Sequence, residues 1–189
     1  MSGETLKTAR FELVPVTLAM VEAIFYERDA ELARLLDALL PVPWPGKALI
    51  ERAFCADLDA IRKEPDMRLW GDRIIVDASG LFASSRDVTA PVRRRVIGSV
   101  IFHGSPTADG LIEIAYGIER YSQGQGVATE AVAAQVEWAL AQPEVRRVRA
   151  TTPPWHQASR RVLEKCGFVH IGDDEHDALG EVVVYQRAR

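Results

Sequence analysis

Tyr121-Ser122-Gln123-Gly124-Gln125-Gly126-Val127-Ala128-Thr129-Glu130-Ala131 follows the apolar run Leu111 to Ile118 and opens an apolar-periodic helix. The glycines at 124 and 126 let the backbone turn sharply and come close to a ligand. They leave unpaired N–H groups at a helix start, where the helix dipole favours an anion. The stretch therefore reads as a phosphate cradle, and the rest of the chain must say which anion it holds.

A strand, a glycine-rich turn and a helix also describe a dinucleotide-binding unit. The spacing argues against that reading. A dinucleotide fingerprint asks for Gly or Ala three positions after the second glycine, and position 129 is Thr. It also asks for an acidic residue at the end of the following strand, which Val148-Arg149-Ala150-Thr151-Thr152 does not supply. The remaining alternative is a bare helix start whose glycines serve only the turn.

Outward from the loop, the predicted elements form a regular series. Upstream, Ala9 to Val16 alternates as a strand that stops at Pro15 near a sheet edge, and Leu18 to Leu40 and Ala48 to Ile61 have helical spacing. The breaker Pro41-Val42-Pro43-Trp44-Pro45-Gly46 divides the two helices. Arg68 to Asp77, Arg95 to His103 and Leu111 to Ile118 read as strands. A polar connection, Ala78 to Arg94, joins the first two as a mobile loop, and the Arg93-Arg94-Arg95 run reads as solvated. Downstream, Gln125 to Gln142 is a helix with Val127, Ala131, Ala134 and Trp138 on one face, ended by Pro143. Arg147 to Thr152 is a strand, and His156 to Cys166 a helix with Ala158, Val162, Leu163 and Cys166 inward and Gly167 as its stop. Phe168 to Ile171 and Val182 to Gln186 close the series, joined by an acidic loop from Gly172 to Gly180.

Bulk properties narrow the class. The 189 residues fit one domain with a substantial core. A formal net charge of -4 gives no electrostatic case for nucleic acid or an anionic membrane. The N-terminal residues lack a signal-peptide hydrophobic region and no apolar stretch spans a bilayer, so the expected location is cytoplasmic, with no membrane partner. Cys55 and Cys166 lack metal or redox spacing and read as small buried hydrophobes.

Gln123-x-x-Gly126-x-Ala128 resembles the Gln/Arg-x-x-Gly-x-Gly/Ala pattern of the GNAT superfamily of acetyl-coenzyme A (acetyl-CoA)-dependent N-acetyltransferases. A second segment, Ala158 to Phe168, is similar to the later GNAT element that ends in Glu-Lys-x-Gly-Phe. With Ala128-Thr129-Glu130-Ala131 and Trp44-Pro45, the chain resembles the branch containing the ribosomal-protein N-terminal acetyltransferases. The order of elements fits along nearly the whole chain. The resemblance implies an α/β (α+β) GNAT fold over residues 1–189: a mixed central sheet of six to seven strands with a splayed pair, flanked by helices.

It also implies a function. Acetyl-CoA is the cosubstrate and no metal is needed. The acceptor is a primary amine, either a protein N-terminal α-amino group or a small molecule, attacked directly in a ternary complex. The chain is then a monomer or homodimer. The alternative is a non-catalytic acetyl-CoA-binding sensor or interaction module. Backbone N–H groups of Gln123, Gly124, Gln125, Gly126, Val127, Ala128 and Thr129 would hold the pyrophosphate, and a bulky residue at 126 would block it. The exposed backbone of Tyr116, Gly117 and Ile118 would pair with the pantetheine arm.

Proton transfer needs further groups, because an alkyl amine is mostly protonated at neutral pH. Glu113, alone among apolar residues in its strand, is the candidate general base, directly or through water; its structural alternative is a strand-end glutamate facing solvent or pairing with an arginine. Many GNAT enzymes place a tyrosine in the later helix to serve the departing thiolate. The corresponding residue is read as Leu163, which leaves Ser159 as the candidate, against a serine bonded to its own helix backbone. His156 stands where the family has Asn and is read as a coenzyme contact. Arg160 and Arg161 are candidates for the 3′-phosphate, while His170 and Asp173 to Asp177 read as a solvated turn rather than a metal site. Tyr26, Trp44, Phe54 and Trp70 are either acceptor-side or core aromatics.

Overall fold

The computed structural model describes residues 3–41, 57–80, 94–177 and 179–189. Among them, eight strands form one sheet: β1 (Leu6–Lys7), β2 (Phe11–Pro15), β3 (Arg73–Asp77), β4 (Arg95–Phe102), β5 (Leu111–Ile118), β6 (Arg147–Thr152), β7 (Val169–His176) and β8 (Gly180–Ala188). Their spatial order is β1-β2-β3-β4-β5-β6-β8-β7. Neighbours are antiparallel except β5 and β6, which run parallel because α5 (Val127–Leu140) crosses between them. The sheet is therefore mixed, as expected, with two-residue β1 taking the edge that was expected of β2.

Helices cover both faces. On one side lie α1 (Leu18–Phe25) and α2 (Asp29–Leu36), whose Met20, Ile24, Leu32 and Leu36 pack on Ile74, Val76 and Val96. On the other, α5 and α6 (Gln157–Lys165) place Val132, Val136 and Leu163 against Ile75, Ile97, Ile112 and Ile114. Alternate residues of β3 thus enter different cores, so its apolar centre Ile74-Ile75-Val76 is buried on both faces, between the buried charged residues Arg73 and Asp77. Two short helices, α3 (Leu58–Lys63) and α4 (Pro65–Arg68), lead into β3.

Several expectations change. Leu18 to Leu40 is two helices, because the chain turns at Glu27, whose φ is +56°. Residues 68 to 72 are not strand: Pro65 starts α4 at its first position, where its missing N–H is harmless. Most of the expected acidic loop is strand, since Gly172 to His176 pair with Val184 to Gly180 in a long hairpin. The arginine run is not simply solvated. Arg94 Nη1 bonds Glu12 at 2.6 Å, and Arg95, with only 12% of its side chain exposed, lies 3.7 Å from Glu119. Trp70 packs with Phe102 and Trp138 in the core, and Tyr26 is exposed and accepts a bond from Arg62. The expected helix at 48–56, the connection at 81–93 including Arg93, and Trp44, Phe54 and Cys55 lie outside the described residues. Cys166 is buried, and burial pushes its thiol up to about 11.

Candidate active site

The parallel pairing of β5 and β6 runs only from Leu111↔Arg147 to Glu113↔Arg149. Beyond Glu113, β5 stays with β4 while β6 stays with β8, and the two strands diverge. A cleft of about 570 Å³ opens in this fork. One wall is Tyr116, Gly117 and Ile118 of β5; the other is His156, Ala158, Ser159, Arg161, Val162 and Lys165 at and along α6. Gln123, Gly124, Gly126, Val127, Ala128 and Thr129 close its end. A second hollow of about 550 Å³ lies at the far end of α5, where Arg187 and Arg189 are tied to Glu137 and Leu140. Its groups are engaged with one another, so size alone does not choose between the two hollows. The first has the helix start and the hydroxyls of Tyr116 and Ser159.

The cradle is built by backbone. Gly124 and Gly126 have φ of +73° and +78°, and Gly126 is the N-cap of α5 without any side-chain cap. The leading N–H groups of α5 are thereby left for a ligand. Both glutamines brace the loop: Gln123 Nε2 donates to Ile118 O at 2.9 Å, and Gln125 Nε2 to Tyr121 O at 2.9 Å. Glu119 accepts from Tyr121 N and Ser122 Oγ and so fixes the turn before it.

Arg10, in the β1–β2 turn, was not singled out from the sequence because it is distant in the chain. Its Nε bonds Glu130 at 2.7 Å and its Nη1 donates to Gln125 O at 3.0 Å, tying the loop to α5 from outside. Burial opposes ionisation of Glu130, but bonds from Thr8 and Arg10 outweigh it and hold the carboxyl below its usual range. A depressed carboxylate contributes stability above its unfolded pKa and loses it as pH falls through the folded one. We therefore expect Arg10→Ala to weaken acetyl-CoA binding by roughly tenfold, the scale of one charge-assisted bond. The wild-type advantage should vanish below the ordinary carboxylate range, about pH 4. Thermal shifts with ligand across that range check both.

The β5 wall depends on Gly98 of β4. A Cβ there would lie 2.3 Å from Gly117 O and 3.2 Å from Ile118 Cα, both backbone of the cleft wall. Gly98→Ala must push β5 outward. The expected result is a loss of about 1–3 kcal/mol in denaturant unfolding, as for overpacked cores, together with a smaller acetyl-CoA thermal shift.

The reactive candidates divide as follows. Glu113 ends the parallel pairing at the vertex of the fork and does not itself border the cleft; its Oε1 accepts from Thr151 Oγ1 at 2.9 Å and Arg149 Nε lies 3.8 Å from Oε2. Arg149 in turn bonds Asp174 of β7 at 3.0 Å, a link made possible by the strand character of the acidic segment. Ser159 Oγ lies 2.8 Å from the Tyr116 hydroxyl. Burial pushes the Tyr116 phenol up to about 12, against the opposing effect of that bond. His156 is exposed at the N-cap of α6, its Nδ1 3.4 Å from Thr152 Oγ1. Leu163 is fully buried in the core and does not border the cleft.

Arg160 is turned away. Its Nε bonds Tyr185 Oη at 3.2 Å and its Nη1 bonds Pro154 O at 3.3 Å, whereas Arg161 and Lys165 border the cleft. Among the described residues, no group of three or more His, Cys, Asp or Glu is placed to hold a metal ion, and no helix is long and apolar enough to cross a membrane.

These residues build a mixed sheet with one forked parallel pair and an uncapped glycine-turn helix start at the fork. The family model described as an acetyltransferase (GNAT) domain matches residues 10–169, and the chain belongs to that family. It is similar to the uncharacterized N-acetyltransferase YjdG of Bacillus subtilis (strain 168), 31% identical over 74 residues, 39% of this chain and 44% of that protein. It is also similar to the probable N-acetyltransferase YjcK of the same strain, 34% identical over 90 residues, 47% of this chain and 46% of that protein. These matches span less than half the length of the curated relatives. In fold it is similar to the ribosomal L7/L12 α-N-protein acetyltransferase RimL in complex with coenzyme A, with TM-score 0.60 and 16% identity over 98% of each chain.

Proposed function

We propose that the chain transfers the acetyl group of acetyl-CoA to a primary amine by direct attack in a ternary complex. The observation that carries this is the fork between β5 and β6, whose open end meets the uncapped start of α5. Amides from Gln123 to Thr129 would hold the pyrophosphate, and Arg161 and Lys165 supply positive charge beside it. The pantetheine arm lies between the walls and pairs with the cleft-facing backbone of Tyr116 and Gly117, with His156 and Ser159 opposite. The thioester then reaches the vertex, where Glu113 accepts the proton of the attacking amine, directly or through a water. A backbone N–H of β5 steadies the tetrahedral oxyanion.

The similar fold that acts on ribosomal L7/L12 makes peptide α-amino groups the first acceptors to test, and small amines the second. Release of free thiol from acetyl-CoA across a panel of N-terminal peptides and small amines tests the reading. A rate that rises and saturates with one acceptor class identifies it. No acceptor-dependent thiol release from any member, with acetyl-CoA bound, would contradict the proposal.

A further inference from the structure

The Tyr116 hydroxyl and Ser159 belong to opposite walls of the cleft, yet they are joined. Tyr116 Oη is 2.8 Å from Ser159 Oγ and 3.2 Å from Ser159 O, so its one O–H can be directed to either oxygen. A serine early in a helix would ordinarily bond a backbone carbonyl of its own helix. Here its oxygen is engaged by a phenol from the other wall. When the phenol donates to Oγ, the serine keeps its own O–H to donate, and the cleft lies beside it.

We propose that Tyr116 is a positioning residue that aims the Ser159 hydroxyl at the sulfur of coenzyme A, so that the departing thiolate meets a hydrogen bond. This rests on the acetyl-transfer reading. When the tetrahedral adduct collapses, the C–S bond breaks and its electron pair goes to sulfur. The amine nitrogen has given its proton to the base, and the thiolate takes one from solvent, so no proton is taken from the pair. Two observations favour this division. Burial keeps the Tyr116 phenol protonated through the neutral range, so it remains a donor and is a poor acid. The α6 residue read as the tyrosine equivalent, Leu163, is in the core. The hydroxyl of the pair's tyrosine comes instead from β5.

The pair can be tested without knowing the acceptor, by following ultraviolet absorbance of the thiolate of coenzyme A bound to the full chain as pH is raised. The charged or titratable groups about the cleft are His156, Arg161 and Lys165, with Cys166 close to Tyr116 and Glu113 at the vertex. None of them is altered. We expect bound coenzyme A to ionise about one pH unit below the free thiol, the scale of a charged hydrogen bond. Ser159→Ala and Tyr116→Phe should each return it toward the free value, and the double variant should do no more than Ser159→Ala alone. Each variant should melt cooperatively without ligand, which shows that it folds, and is saturated with coenzyme A for the titration. Ionisation at the free value in the wild type, or effects that add in the double variant, would overturn the proposal. Absence of any thermal shift with acetyl-CoA or coenzyme A would overturn the acetyl-transfer reading itself, and this proposal with it.

Discussion

Gly126→Val is expected to lose acetyl-CoA binding by about 100-fold or more while the protein remains folded. Gly126 has a φ of +78°, which a β-branched residue resists by roughly 1–2 kcal/mol. A Cβ there would also stand 3.4 Å from Arg10 Nη2, so the valine methyl groups press on the strut that braces the loop. The fault is therefore conformational first and steric second, a refinement of the simple blocking expected from sequence. If the loop relaxes to a negative φ, the N–H groups at the start of α5 turn away from the anion. Losing two charge-assisted bonds at about 1.5–3 kcal/mol each accounts for the binding loss. In the absence of ligand, Tm should fall only by roughly 2–8 °C for a chain of this size. Calorimetric titration with acetyl-CoA, beside unliganded melting, separates the two effects.

Glu113→Gln is expected to lower kcat by about 100-fold or more at neutral pH, the range of a general base, with the acetyl-CoA thermal shift unchanged. The amide keeps a carbonyl oxygen for the Thr151 hydroxyl, which now bonds Oε1 at 2.9 Å, so the vertex should stay assembled. What is lost is the capacity to take a proton. Arg149, itself bonded to Asp174, lies 3.8 Å from the carboxylate. Turnover and a pH profile that match the wild type, measured with an active acceptor, would show that the base is elsewhere.

The parts of the fold that build the cleft were readable because their signals are local. Leu111 to Ile118 and Arg147 to Thr152 have the bounds expected, and α5 begins within two residues of its expected start at Gln125. Gly124 and Gly126 declare the turn between them by composition alone. Elements without such signals were misread. The break at Glu27 has neither Gly nor Pro, and a positive φ at glutamate leaves no trace in periodicity. β7 is an edge strand exposed along nearly its whole length, so its residues show no alternation and its acidic half resembles a turn. Leu69 and Trp70 look like strand residues because they are apolar, yet they serve the turn after α4.

The site was legible where backbone does the work and opaque where side chains meet across the fold. Arg10 and Glu130, Tyr116 and Ser159, and Arg149 and Asp174 are far apart in sequence, and nothing in either local stretch names the other. Arg160 and Arg161 are neighbours in one helix, and only the packing of Tyr185 decides which of them turns from the cleft. Leu163, inward in its helix as expected, is buried in the core although motif likeness aligns it with the family's tyrosine.

In the proposed function, the fork between β5 and β6 and the start of α5 form one acetyl-CoA site. Thermal unfolding of the full chain at rising acetyl-CoA concentration tests it most directly, because a ligand that binds the folded state must raise its stability. A saturable rise in Tm is expected, which Gly126→Val removes and Glu113→Gln leaves in place. An unchanged Tm at millimolar acetyl-CoA, or an equal rise in the Gly126→Val protein, would contradict it.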